Sequence, residues 1–185
     1  MGDSRPSPRM LAVIRSIDRI TDFTGTVVAF LSVPLVAAVC YEVVSRYVFN
    51  APTVWAYDTS YMLYGTLFML GAAYTLYRGA HIRTDFFWES FSIRTRGTID
   101  SISYIVFFFP GFALLMVVGL QEALTSWRIH ELADLTPWRP PLWPFKSVVP
   151  ITCLLLLLQG VSELLKSLHA ARTGEEIERK LKVQV

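Results

Sequence analysis

The spacing of the charges constrains this chain most. Asp22 and Glu42 enclose 19 uncharged positions, Asp58 and Arg78 enclose 19, Asp100 and Glu122 enclose 21, and Lys146 and Glu163 enclose 16. A helix needs roughly 20 mainly apolar residues to cross a hydrocarbon layer about 30 Å thick. The fourth window is short, but Leu164, Leu165 and Leu168 extend it past Glu163. A helix of a soluble bundle keeps a polar face, and these windows have none. The reading is an all-α membrane protein with four transmembrane helices, near residues 24–46, 57–77, 102–124 and 146–166. Composition agrees: 17% of the residues are charged, where a soluble domain has about a quarter. Disorder and a disulfide-rich secreted scaffold are excluded on the same ground.

Lys and Arg set the orientation of such helices. The segment before the first span, the connection between the second and third, and the tail after the fourth hold 13 of the 17 basic residues. The other side holds Arg46, Arg128, Arg139 and Lys146. Both termini are expected to be cytoplasmic. The net charge of +2 then reflects membrane flanks and gives no reason to expect a nucleic-acid partner. The organisation expected is a cytoplasmic N-terminus over residues 1–22, a transmembrane domain over 23–168 and a polar cytoplasmic tail over 169–185. The first span is too long for a typical secretory h-region and lacks a clear small-residue cleavage site, so it reads as an uncleaved anchor.

The connections carry their own patterns. Met10, Val13, Ile14, Ile17 and Ile20 recur at helical spacing, while Arg15, Asp18, Arg19 and Asp22 fall mostly elsewhere. This predicts an N-terminal amphipathic helix lying in the membrane interface; a helical extension of the first span into water would show the same rhythm. The second outer connection contains Pro137, Pro140, Pro141 and Pro144, which make it stiff and non-helical. Its Trp127, Trp138 and Trp143 are candidate interfacial anchors against membrane lipid.

No catalytic, metal-binding or cofactor-binding constellation is visible. His81, His130 and His169 all lie outside the charge-free windows, whereas a haem held within the bundle needs histidines inside spans. No P-loop, HExxH, GxSxG or dinucleotide fingerprint occurs. Cys40 and Cys153 form no CxxC and read as small packing residues. Glu42, Arg46, Asp58, Glu122 and Glu163 stand near span ends, where water, headgroups or another membrane protein can receive them. Glu42 and Arg46 are one helical turn apart and can pair. With no charge at a span centre, the chain suits an accessory subunit better than a solitary transporter. Gly65, Gly71, Ala72, Ala73, Gly111 and Gly119 are small residues that allow close helix packing.

Several motifs in order carry a resemblance. Arg46-Tyr47-Val48-Phe49-Asn50 is similar to an Arg-Tyr-x-Phe-Asn motif at the end of a first span. Trp55 and Asp58 match a Trp followed by an acidic residue, usually Glu, so Asp58 is a mild departure. Gly71-Ala72-Ala73-Tyr74 and His81-Ile82-Arg83-Thr84-Asp85 match a Gly-Ala-Ala stretch and a His-Ile-x-x-Asp motif. Over about residues 10–170 the chain resembles the small membrane subunit of TRAP transporters, the tripartite ATP-independent periplasmic carriers, or DctQ-like small permease. The resemblance implies a subunit of a bacterial inner-membrane symporter. A periplasmic binding protein captures a substrate, commonly an organic acid. A large membrane subunit then carries it with sodium, and the small subunit packs against that subunit's static scaffold.

On this reading Glu42, Arg46, Trp55 and Asp58 are candidates for docking on the large subunit, since interface energy concentrates on Trp, Tyr and Arg. His81 and Asp85, which would share one face if their segment is helical, are candidates for fixing the inner loop. The rival reading is a membrane-anchor subunit of a redox enzyme complex.

Overall fold

The computed structural model describes residues 6–79, 91–175 and 177, and the described residues are helical with short connections. Helix α1 spans Pro8–Ala29, α2 Ser32–Tyr47 and α3 Ala56–Tyr77. Helix α4 spans Ile93–Ser103 and passes through a π-helical turn, Tyr104–Phe108, into α5, Phe109–Ile129. The last helix, α6, spans Trp143–Thr173. It is the hub: α1, α3, α4 and α5 all pack against it, while α2 packs against α3.

Local chemistry sets the boundaries. Ser7 caps α1, its hydroxyl accepting from the Met10 N–H at 3.3 Å, and Pro8 follows at the position where a missing N–H costs nothing. Ser92 caps α4 in the same way through the Thr95 N–H. His130 ends α5 and Gly174 ends α6, both in the left-handed conformation that frees the chain to turn.

Two prolines break the regularity within long apolar runs. Pro34 has no N–H to give the Phe30 carbonyl, which accepts instead from Val33 at 3.1 Å. The helix stops at Ala29 and restarts at Ser32, whose hydroxyl closes the gap by donating to the Ala29 carbonyl at 2.7 Å. The expected first span, residues 24–46, is therefore divided between α1 and α2. The segment expected to be amphipathic is continuous with the first of these. Pro110 likewise cannot donate, and the chain widens just before it, so that the Phe109 N–H reaches back to the Tyr104 carbonyl.

Three helical runs among the described residues are long and apolar enough to cross a membrane: Pro8–Tyr47, Ile93–Ile129 and Trp143–Thr173. The second expected span forms α3, whose 22 residues extend about 33 Å. Tyr57, Tyr61, Tyr64, Tyr74 and Tyr77 make it less apolar than the other three.

α1 is built inside out relative to a soluble amphipathic helix. Ile14, Thr21, Gly25 and Val28 are buried, while Val13, Ile20, Phe23 and Val27 are exposed. α2 buries only Ala38. The small core joins Ala73 and Leu76 of α3 to Leu156 of α6, with Phe108 and Phe112 against them.

Close approach falls on some of the expected small residues and not on others. A Cβ at Gly65 or Gly119 would meet Phe145 or Val149, but Gly71 and Gly111 face open space. The tightest backbone approach is at Gly97 of α4, where a Cβ would lie 2.5 Å from the Ala171 nitrogen and 2.6 Å from the Ser167 carbonyl oxygen. Backbone atoms cannot rotate aside, so Gly97→Val should separate α4 from α6. It should destabilise the protein by about 1–3 kcal/mol, the usual range for overpacking. Gly71→Ala and Gly111→Ala should leave stability unchanged or raise it slightly. Thermal unfolding in detergent would check this; equal behaviour of all three variants would refute the Gly97 contact.

Candidate functional site

Helix α6 presents a stripe of residues to its neighbours at helical spacing: Thr152, Leu156, Gln159, Glu163, Lys166 and Ala170 are all buried. Most of that stripe is polar. Its centre is Lys166, 5% exposed. The ammonium donates to Asp18 Oδ2 at 2.9 Å and Oδ1 at 3.2 Å across the α1 contact, and to Glu163 Oε1 at 2.8 Å one turn back. It also lies 5.9 Å from the centre of the Tyr77 ring on α3. One cation thus joins three helices.

Gln159 and Ser162 complete the shell. The Gln159 amide donates to Asp18 at 3.1 Å and accepts from the Thr21 hydroxyl at 2.7 Å, and Ser162 donates to Asp18 at 2.8 Å. Glu163 is therefore buried within the chain, where the sequence suggested a residue near a span end received by water, headgroups or another membrane protein. The fourth charge-free window stops at Glu163 because the charged part of the buried polar cluster on α6 starts there. Asp18, assigned by periodicity to the polar side of an amphipathic helix, borders the packed face of Ile14, Thr21, Gly25 and Val28 and reaches α6, while Arg15 and Arg19 on the polar side are exposed. The lysine occupies the position between the carboxyl groups, so the cluster works as an internal ion pair. Among the described residues no group of three or more metal-ligating side chains comes together.

A second group lies at the opposite end of the bundle. The expected Glu42–Arg46 pair forms at 2.5 Å, with the Arg46 side chain 53% exposed. The other Glu42 oxygen accepts from the Thr53 N–H at 3.0 Å and from the Thr53 hydroxyl, tying the α2–α3 connection to α2. Trp55 is half-buried, its ring 5.6 Å from Tyr41. Asp58 lies in the first turn of α3, where the helix dipole favours a carboxylate, and is 1% exposed. One of its oxygens accepts from the Thr136 hydroxyl, which holds the second outer connection. Arg46 is exposed and Trp55 half-buried at this end, whereas Asp58 is buried as an internal tie to Thr136.

The second outer connection is pinned at several points. Leu132 bridges Pro141, and the Leu142 N–H donates to the Glu131 carbonyl at 2.8 Å. Glu131 accepts from Lys146 at 2.6 Å, and that hydrogen bond holds its carboxyl below the ordinary range. Trp127 donates to Ser147 at 2.8 Å and packs on Trp143 with ring centres 4.0 Å apart; Trp138 stays half-exposed. His81 and Asp85 lie outside the described residues. Cys153 is buried and Cys40 exposed.

Removing one partner of a buried ion pair strands the others. Lys166→Met should therefore destabilise the protein by about 3–5 kcal/mol. Asp18→Asn, which keeps Lys166 with Glu163, should cost distinctly less, and the triple change Asp18→Asn, Glu163→Gln, Lys166→Met should recover much of the loss. Unfolding temperatures of the purified variants give the order. A triple variant as unstable as Lys166→Met would show that stranded charge is not the cause.

A comparison with protein-family models matches residues 35–170 to the family described as Tripartite ATP-independent periplasmic transporters, DctQ component. No curated protein and no solved structure matches the chain. The matched region begins inside α2, so it contains Glu163 and Lys166 but not Asp18. It covers well over half of the chain, which therefore belongs to the DctQ family, the small membrane component of TRAP transporters.

Proposed function

We propose that this subunit serves as a scaffold for the large membrane subunit of a sodium-coupled, binding-protein-dependent importer of an organic acid or similar small solute. Family membership carries the reading. The surface supports it: α2 leaves Val36, Val39, Val43 and Val44 exposed, and its outer end continues into exposed Tyr47, Val48 and Phe49. A helix this apolar and this little buried needs lipid or another membrane helix beside it. The family match gives the redox-anchor reading no support.

In this reading all four expected spans, including α3, cross the bacterial inner membrane, with both termini cytoplasmic. Three internal contacts support the arrangement. Asp18 of α1 meets Lys166 of α6, and Gly97 of α4 meets Ala171, so these segments share one end of the bundle. Asp58 and Thr136 meet at the other. The basic residues Arg15, Arg19, Arg94, Arg96 and Arg172 lie at or beyond the first end, the side that the positive-inside rule assigns to the cytoplasm. In a variant lacking Cys40 and Cys153, Trp138→Cys should react with a membrane-impermeant maleimide added to intact spheroplasts. Reaction only after permeabilisation would reverse the topology.

Docking is assigned to Arg46 and Trp55, with Glu42 orienting Arg46 and Asp58 holding the second outer connection behind them. Arg46→Ala and Trp55→Ala should each reduce recovery of the large subunit on the tagged small subunit at normal membrane levels. A loss of 2 kcal/mol, typical of a hot spot, would lower affinity about thirtyfold. Full recovery and full transport in both variants would leave Arg46 and Trp55 as lipid-boundary residues.

A further inference from the structure

Helix α3 turns one unpacked face outward, and that face has a regular pattern. Tyr57, Tyr61, Tyr64 and Phe68 are exposed, and a Cβ at Gly71 would meet nothing within 4 Å. These five positions lie four, three, four and three residues apart. The mean step of about 3.5 residues is the repeat of a seam that packs along one neighbouring helix. From Tyr57 to Gly71 the seam rises about 21 Å, and its first member stands two residues after Trp55. The other faces of α3 are used inside the chain: Tyr74 meets Gly25 of α1, and Leu76 joins the core with α6. Phe145 of α6 braces the Tyr61 ring from the side at 5.3 Å by ring centres and fills the space beside Gly65. Tyr64 and Phe68 stack on one another along the seam, ring centres 6.3 Å apart.

Lipid suits this face poorly. On the topology proposed above, Tyr57 stands at the outer boundary, where its hydroxyl meets headgroups. Tyr61 and Tyr64 lie about 6 Å and about 10 Å further in, within an outer leaflet of hydrocarbon about 15 Å deep. Among the described residues no hydrogen bond reaches either hydroxyl. A polar group in hydrocarbon needs a partner, and another helix supplies the acceptors that acyl chains lack. The seam is also tapered: aromatic rings fill its outer part, and Gly71 leaves a gap further in. A second copy packed in parallel would set ring against ring and gap against gap. The complementary partner carries small residues and hydrogen-bond acceptors opposite Tyr61 and Tyr64, and a bulky side chain opposite Gly71. Such a helix differs from α3, so the shape favours another chain over a second copy of this one.

We propose that α3 docks one transmembrane helix of the large subunit along Tyr57, Tyr61, Tyr64, Phe68 and Gly71, with the Tyr61 and Tyr64 hydroxyls donating to it inside the hydrocarbon layer. This rests on the reading of the chain as a scaffold subunit and names the face that the scaffold uses. The experiment takes the assembled complex in its membrane, with Tyr64 or Phe68 replaced by photoreactive p-benzoylphenylalanine. Illumination should join each position to the large subunit, and peptide mapping should place both adducts on one and the same helix. Adducts with lipid alone, adducts with a second copy of this chain, or no adduct with the large subunit would overturn the proposal. The double change Tyr61→Phe, Tyr64→Phe removes two hydroxyls and keeps both rings. It should weaken the affinity of the purified subunits about sevenfold, the usual worth of two hydrogen bonds between membrane helices. Gly71→Val should weaken it by about tenfold or more by holding the helices apart, while the unfolding temperature of the isolated small subunit in detergent stays at the wild-type value. Wild-type affinity in either variant would overturn the proposal. So would a lowered unfolding temperature for Gly71→Val, because the face would then be packed within the chain. Recovery of the large subunit on tagged wild type is measured alongside. Normal recovery without an adduct would count against the seam alone, and failed recovery with wild type would count against the subunit reading.

Discussion

The ammonium of Lys166 holds together helices that otherwise have little reason to associate. In a bilayer the apolar faces of α1 and α6 are as well solvated by lipid as by each other, so hydrophobic burial gives helix association little drive. A charge left in hydrocarbon, by contrast, is disfavoured by roughly 2.5–3.5 kcal/mol even on insertion scales. Asp18, Glu163 and Lys166 escape that penalty only in one register of α1 on α6. Gln159 sharpens the register, since its amide must meet Thr21 with its oxygen and Asp18 with its nitrogen at once. α1 buries few other side chains, and its placement follows from this cluster together with the approach of Gly25 to the Tyr74 ring.

The charge-free windows were a sound guide to where helices run, because the absence of charge over 16 to 21 residues leaves a chain few alternatives. They were a poor guide to what lies inside. Glu163 was read from the edge of a window, as a residue reaching toward water. Placed on a helical wheel with Thr152, Leu156, Gln159 and Lys166, it falls on a single stripe. In a membrane helix the polar stripe is the one that packs inward. Asp18 joins the packed face of α1 while Arg15 and Arg19 stay exposed, because its partner Lys166 stands 148 residues away in the sequence. Pro34 and Pro110 were both in plain sight within the windows. Whether a proline breaks a helix, as at Pro34, or is absorbed by a wider turn, as at Pro110, depends on how the neighbouring carbonyls find donors. That is settled by three-dimensional structure. Glu42 and Arg46 were legible because a helix places residues four apart side by side, whereas the Asp58–Thr136 contact, between residues 78 apart, left no local trace.

Polar contacts at the two ends of the bundle divide the work. At one end the lysine cluster and the Gly97 contact fix α1, α4 and α6 to one another. At the other, Glu42 holds the first connection through Thr53, Asp58 holds the second through Thr136, and Lys146 holds Glu131 and lies 3.7 Å from Glu122. The α2–α3 and α5–α6 connections are thereby fixed without a disulfide, through side chains that are partly shielded and so less screened than fully exposed pairs.

Internal ties of this kind decide what the remaining surface can do. Because the polar groups that orient the helices meet within the chain, α2 between Val33 and Val39 and α5 between Phe109 and Leu120 are free to present an apolar exterior. A subunit that spent its ionisable groups on a transport path would need them movable and reachable from water, and here Lys166 is enclosed by its own neighbours. Fixed internal charge and an uncommitted apolar exterior suit a protein that stays still while another moves against it. A rigid body can resist the force of a moving partner only if its own helices are locked in register, and a single buried ammonium shared by α1, α3 and α6 supplies that lock at the point where three helices meet.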